Sequence, residues 1–296
     1  MNTIARILVL LPAVSVIAAP PRIDAVRSSS APYISGDSFR AIAHHVFDET
    51  DMRLDPATVK EKDIIFVKTD YLEQFFTQIH PNIQAQYLLI SHNADHPAPG
   101  AYVHYLDDPK IIAWFGQNPT IMGHPKFRAI PIGIANRMWS HGNPATVDKA
   151  RSLASGMQKK HLLGMNFVVS THQDVRKPVY DFFVKQPFCT QLYYPDHFQY
   201  LLAMGTARFV LSPRGNGLDC HRTWEALLMG AVPVMTHSMM DECLEGLPVV
   251  LVDDWNQVTP EFLEQESQRI IRDAETMHHE KMFFDYWRDL INSYRY

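Results

Sequence analysis

Cysteine is scarce in this chain of 296 residues: three in all, Cys189, Cys220 and Cys243, an odd number at wide spacing. That pattern fits neither a zinc site nor a disulfide framework. It reads as small buried hydrophobes, with one disulfide left open if the protein is exported. Excess positive charge is missing too. Lys plus Arg total 27 against 32 Asp plus Glu, a net charge of −5, and no segment carries a basic stripe. A nucleic-acid backbone is therefore excluded as a partner, and an anionic ligand must be met by a few placed groups. There is no internal repeat and no low-complexity tract, which excludes solenoids and arrays. His-Glu-x-x-His and a Walker-type loop are absent as well. The adjacent acids Asp107-Asp108 and Asp253-Asp254 read as solvated turn residues.

Long hydrophobic runs are confined to the N-terminus, "MNTIARILVLLPAVSVIAAPPR". Arg6 precedes an apolar stretch from Ile7 to Ala19 that is too short to span a bilayer but suits a signal-peptide core, so residues 1–22 are expected to be a signal peptide or anchor. Export or residence in the secretory pathway follows, with membrane association through this segment as a variant. The alternative is a buried first strand, Ile7 to Leu11, broken by Pro12.

Elsewhere 46% hydrophobic and 20% charged residues describe a globular chain. Short continuous apolar runs recur: Ile64–Val67, Tyr87–Ile90, Ile111–Phe115 and Phe127–Ile132, then Phe167–Val169, Phe188–Tyr193, Phe209–Leu211, Val232–Met235 and Val249–Val252. Runs that do not alternate suit strands buried on both faces, as in parallel sheets, and the segments between them read as helices. The expected class is α/β, with two facing Rossmann-like domains and a C-terminal helix. Gly142-Asn143-Pro144 supplies the join, giving one domain over 33–150 and a second over 151–296. The terminal segment carries Met282, Tyr286 and Leu290 at helical spacing.

In such sheets ligands gather beyond the carboxyl ends of the strands. The first domain delivers Lys68 and Asp70, His92 and Asp95, and Asn136 there, and the second His172 and Arg176, then Arg214 to Gly217. The stretch "SPRGNGLDCHRTWEALLMG", Ser212 to Gly230, is a strand-to-helix corner. A helix N-terminus suits a phosphate, Gly215 and Gly217 let backbone approach it, and the Arg214 fork can grip two of its oxygens. Arg222 and Glu225 follow on the polar side of the helix, where an acid suits the ribose of a nucleotide. An ordinary corner with an exposed Arg214 and a surface Arg222–Glu225 pair is the competing reading, since one Gly-x-Gly is a weak signal.

"FVLSPRGNGLDCHRTWEALLMGAVPVM", continued by "LEGLPVVLVDDWNQVT", resembles the donor-binding block of exostosin-like glycosyltransferases (glycosyltransferase family 47), over roughly Ala207 to Leu263. A fainter resemblance covers Tyr87–Gly100, Ile111–Asn118 and Ile130–Asn143. The resemblance implies a GT-B-like fold, an inverting transfer and a uridine donor. It also implies a diphosphate met by Arg214 and the Gly215-Asn216-Gly217 turn, and a ribose met by Glu225.

Glycosyl transfer needs a base for the acceptor hydroxyl and stabilisation of the diphosphate that leaves. Arg214, Arg222 and the helix N-terminus supply the second, with Arg176 and His172 as additions. No Asp-x-Asp is present to hold a divalent metal on the diphosphate, so metal-independent chemistry without a cofactor is expected, the nucleoside-diphosphate sugar being a substrate. Asp95 is the first candidate base, His92 the second and Asp70 the reserve. His92 and His96 stand four apart, but Pro97 makes a loop of that stretch rather than a metal-binding helix. Asn136, Trp139 and His141 are expected on the acceptor side, Trp139 as a platform for a sugar ring. The partners are thus a nucleotide-sugar donor and a glycan or other hydroxyl acceptor. A non-catalytic carbohydrate- or nucleotide-binding protein on the same frame is the alternative.

Overall fold

A computed structural model describes residues 27–296, so the expected signal segment over 1–22 lies outside the described residues. Two five-stranded sheets form, parallel throughout. The first comprises β1 (His45–Phe47), β2 (Asp63–Lys68), β3 (Tyr87–His92), β4 (Ile111–Gly116) and β5 (Phe127–Ala129). The second comprises β6 (His161–Met165), β7 (Cys189–Gln191), β8 (Ala207–Leu211), β9 (Val232–Thr236) and β10 (Val250–Val252). Nine α-helical segments are described: α1 (Gly36–Ala41), α2 (Leu72–Gln74), α3 (Pro144–Ala154), α4 (Gln173–Phe183), α5 (His197–Gly205), α6 (His221–Leu228), α7 (Asp241–Leu244), α8 (Pro260–Arg272) and α9 (Phe284–Ser293). The α/β class expected from the continuous apolar runs is the one observed. The Asn143 side chain caps the join helix α3 by accepting from the Ala145 N–H, with Pro144 in its first turn.

The first sheet runs in sequential order, β1-β2-β3-β4-β5. Right-handed crossovers between strands in that order fall on one face only. Ile65, Val67, Leu89 and Trp114 point to that face and pack on Phe75, Phe76 and Leu106 of the crossover segments. Ile64, Phe66, Leu88, Ile90 and Phe115 point the other way, where the domain's own crossovers leave no cover. Phe39 of α1 and Phe284, Trp287 and Ile291 of α9 fill that side. The terminal helix thus returns to the first sheet, and just beyond it Arg295 donates from Nε to the Lys62 carbonyl at 3.1 Å. Its buried stripe is Phe284, Trp287 and Ile291, one or two positions on from the expected Met282, Tyr286 and Leu290, which pack only at the margin.

The second sheet has the order β10-β9-β8-β6-β7. The chain begins with β6, steps outward to β7, then returns to the opposite side of β6 with β8. The crevice between the ends of β6 and β8 is therefore a topological switch point, the place where open α/β sheets bind ligands. Here the sequence reading needs a correction. The run Phe167–Val169 is not a strand; the strand is His161–Met165, and Val169 begins a 3-10 turn. Gly164 hides it, because a Cβ there would lie 2.4 Å from Leu192 Cδ1. Close packing has replaced an apolar side chain with none.

Candidate functional site

Two adjoining cavities occupy the cleft between the sheets. The smaller, about 380 Å³, sits at the switch point, lined by Asn166, Phe167, Arg176, Gly215, Arg222 and Glu225 among others. The larger, about 820 Å³, lies beneath the first sheet's strand ends, with Asp70, Asp95, Gln117, Asn136 and Trp139 on its wall. Asp95, Ile132, His141, Thr171, Asn216 and His221 line both, so the two spaces are continuous.

The smaller cavity is built around two arginines. Arg176 on α4 is 4% exposed and Arg222 on α6 is 9% exposed. Arg176 donates from Nε to the Arg214 carbonyl and from Nη1 to the Val168 carbonyl, both at 2.9 Å. Arg222 donates from Nε to the Asn166 carbonyl at 2.7 Å. Both guanidiniums lie over the Phe167 ring, at 5.9 and 5.5 Å from its centre. None of the ion pairs among the described residues involves either one. Burial first, and the neighbouring charge of Arg222 second, push Arg176 below the ordinary arginine range. Two buried like charges without a counter-ion are costly unless an anion completes them. The N-terminus of α6 opens beside them, its N-cap residue Cys220 giving no side-chain cap, which adds a partial positive charge.

Arg214 is placed differently from the other expected donor residues. It lines neither cavity. Its guanidinium folds onto its own turn, donating from Nη2 to the Asn216 carbonyl at 2.8 Å. Sequence spacing finds a cation at the corner but not the direction of its side chain. His172 also stays off both cavities. Gly215 lines the smaller cavity, and a Cβ there would stand 3.0 Å from Arg176 Nη2. Gly217 makes room for something else: its Cβ would lie 2.6 Å from the amide of Asn118, in the first domain.

Glu225 is not on a solvated helix face; it is buried, 4% exposed, at the cavity wall. Its Oε1 pairs with His197 Nε2 at 2.8 Å. Burial raises its pKa, but the His197 hydrogen bond and the surrounding histidine charges outweigh this and leave it lowered. His141 approaches His197 and His221 with ring centres at 6.0 and 6.3 Å. The His221 tautomer is fixed, because Nδ1–H donates to the Gly133 carbonyl at 2.7 Å. That bond also ties α6 to the first domain.

Asp219, Asn166 and His197 escaped the sequence reading. Asp219 is 3% exposed and accepts from the Ile132 N–H at 2.8 Å, the Cys220 N–H at 2.8 Å and Trp224 Nε1 at 2.8 Å. Burial drives its carboxyl up to about 6 against those hydrogen bonds. Its partner Ile132 comes from the other domain, so nothing local in the sequence points to it.

On the larger cavity, Asp95 is exposed and accepts from Asn216 Nδ2 at 3.0 Å, a contact across the cleft. Asp70 pairs with Lys68 Nζ at 2.9 Å and His96 Nε2 at 3.3 Å. His92, the second candidate base, lines the larger cavity. The Asn93 N–H donates to its Nδ1 at 2.8 Å and its Nε2–H donates to the Pro131 carbonyl at 3.0 Å. Full burial holds the ring neutral, its pKa down at about 4. Both ring nitrogens are thus engaged with main-chain partners. Asn136 accepts from the Asp37 N–H at 2.9 Å and donates to Asn93 Oδ1 at 2.8 Å. Trp139 stacks on His141 at 6.3 Å with 26° between the planes, which makes an aromatic wall. No group of acidic, histidine or cysteine side chains among the described residues is arranged to hold a metal ion.

No protein-family model matches this sequence, and no curated protein does. Solved structures give loose likenesses. Sucrose-phosphate synthase from Thermosynechococcus elongatus aligns with a TM-score of 0.35 at 12% identity, over 74% of this chain and 66% of that one. The GtfA/B complex aligns with a TM-score of 0.38 at 13% identity, over 81% of this chain and 58% of that one. The chain thus spans less than two thirds of the length of either.

Proposed function

We propose that this protein is a glycosyltransferase of exostosin-like character, moving a sugar from a nucleoside-diphosphate donor, uridine being the expected base, to a hydroxyl of a glycan-type acceptor. The observation that carries this reading is the Arg176–Arg222 pair, buried at the switch point with no carboxylate partner among the described residues. The diphosphate lies between these guanidiniums and the α6 N-terminus, over Gly215. The nucleoside extends along the same cavity, where Glu225 meets the ribose hydroxyls. The sugar then projects toward the wall that both cavities share.

In the reaction, the acceptor hydroxyl gives its proton to Asp95, and its oxygen bonds to the anomeric carbon. The bond from that carbon to the diphosphate breaks, and its electron pair stays on the phosphate oxygen. Arg176 and Arg222 stabilise the charge that develops there. One displacement of this kind inverts the anomeric configuration. The acceptor lies along Asn136, Trp139 and His141. Residues 1–22 are proposed to direct the chain to the secretory pathway; no helix among the described residues is long and apolar enough to cross a membrane.

Thermal stabilisation by uridine, guanosine and adenosine diphosphates, on wild type and on Arg222→Ala, tests the donor site. Ligand at about 100 times Kd stabilises by about 2.7 kcal/mol. A shift with one nucleotide that disappears in the variant supports the reading. Folded protein that responds to none of them sinks it. Donor binding that persists without transfer to any acceptor leaves the non-catalytic alternative in place.

A further inference from the structure

The charges in this cleft are segregated. The buried guanidiniums lie in the smaller cavity, where on the reading above the donor diphosphate consumes them. Among the described residues no Lys or Arg lines the larger cavity, whereas Asp70 and Asp95 both do. Lys68 and His96 partner Asp70. Among the described residues the Asp95 carboxylate meets only the neutral amide of Asn216, and no ion pair there compensates it. The remaining surface offers the Trp139–His141 stack and the amides of Asn136 and Gln117. A stacked aromatic wall with amides beside it suits the apolar face and hydroxyl rim of an uncharged sugar.

We infer that the acceptor is a neutral glycan, and that the site selects against acceptors bearing a uronate at the sugar that enters the larger cavity. The inference rests on the donor and acceptor assignment given under the proposed function. A carboxylate brought there would meet Asp95 at short range, in a cleft that shields charge less than water does, with Lys68 and His96 already engaged by Asp70. With the diphosphate bound, its own negative charge deepens that repulsion.

The test uses the full chain saturated with uridine diphosphate and three matched short oligosaccharides of one linkage. They are the neutral form, its C6-oxidised uronate, and the methyl ester of that uronate. Saturation-transfer NMR and competition titration read binding without requiring turnover. Product mass spectrometry with the uridine-diphosphate sugar reads transfer. The neutral oligosaccharide and the ester are expected to behave alike, and the free uronate to bind about tenfold or more weakly. Equal or tighter binding of the free uronate overturns the inference while leaving the glycosyltransferase reading standing. Failure of uridine diphosphate itself to stabilise the folded protein is a separate outcome, and it removes the parent reading together with this one. Asp95→Asn, read by binding alone, adds a readout of charge: the uronate's disadvantage shrinks in this variant, while a purely steric exclusion leaves it unchanged.

Discussion

Arg176 and Arg222 arrive from different helices, α4 and α6, and share one aromatic ring, with their guanidinium centres 5.9 and 5.5 Å from the middle of Phe167. Each also donates to main-chain carbonyls of the loops that leave β6 and β8. These bonds orient the forks without neutralising them, so the pair is held rigid and positive. Burying two such charges lowers the stability of the free protein, and an anion recovers that cost on binding.

Arg222→Ala is accordingly expected to weaken uridine diphosphate about a hundredfold, and Arg176→Ala similarly, by titration calorimetry. Lysine at either position restores little, because a point charge cannot reproduce the planar fork over Phe167. Arg214→Ala changes affinity by about threefold or less, since its guanidinium is engaged with its own turn. If Arg214 proved dominant, the donor would have to lie outside the switch-point cavity.

Asp95→Asn tests the base. The amide keeps the size and the contact with Asn216 but cannot take a proton. Transfer is expected to fall by about a hundredfold to ten-thousandfold, with donor affinity kept. A variant that transfers at the wild-type rate would shift the role to the histidines on the shared wall.

Trp139→Ala tests the acceptor wall. Losing the stacked face is expected to raise the acceptor KM about tenfold while leaving the donor Kd unchanged. A matching loss of donor affinity would place the ring in the nucleotide path.

How much of this was legible in the sequence follows from physical locality. β2, β3, β4, β8 and β9 are buried on both faces, so each shows as an unbroken apolar run. β1 has only three residues, His45–Phe47, too few to make a pattern, and Gly164 interrupts β6. Arg222 and Glu225 could be found because one helix carries them at fixed spacing. Asp219 could not, since its meaning depends on the Ile132 N–H from another domain. The direction of Arg214 was equally hidden, being a rotamer choice settled by nearby carbonyls.

Two buried groups set opposite pH slopes. His92 has its pKa lowered from an ordinary 6.5 to about 4 by burial, so it stays neutral in the native state while the unfolded chain binds a proton. Its contribution is present above pH 6.5 and is lost as pH falls toward 4. Asp219 has its carboxyl raised by burial to about 6, so it holds a proton natively that the unfolded chain has released. That contribution is present at low pH and is lost as pH rises through 6. The two oppose each other between roughly pH 4 and 6. His92→Gln keeps a donor for the Pro131 carbonyl and removes one slope. Urea midpoints should show the gap between wild type and variant shrinking by about 3 kcal/mol from pH 7 to pH 4. A constant gap would mean that the ring is protonated in the folded protein.

The domain seam gives the last prediction. Gly217 faces the Asn118 amide, where an added Cβ would lie 2.6 Å from the side chain. Asn118 is not free to withdraw: its Nδ2 donates to the Ala94 and Asp95 carbonyls at 3.3 Å, and its Oδ1 accepts from the Asp219 N–H at 3.3 Å. Gly217→Ala must therefore push the donor-side turn away from the loop that carries Asp95, at a cost of about 1–3 kcal/mol. The spacing between Asp95 and the donor widens with it, so kcat should fall more than donor affinity does. Asn118→Ala alone loses hydrogen bonds but clears the space. The double variant should then be more stable than the two single costs added together, by about 1 kcal/mol. Simple additivity would show that the seam relaxes elsewhere, and that Gly217 is there for the approach of a ligand after all.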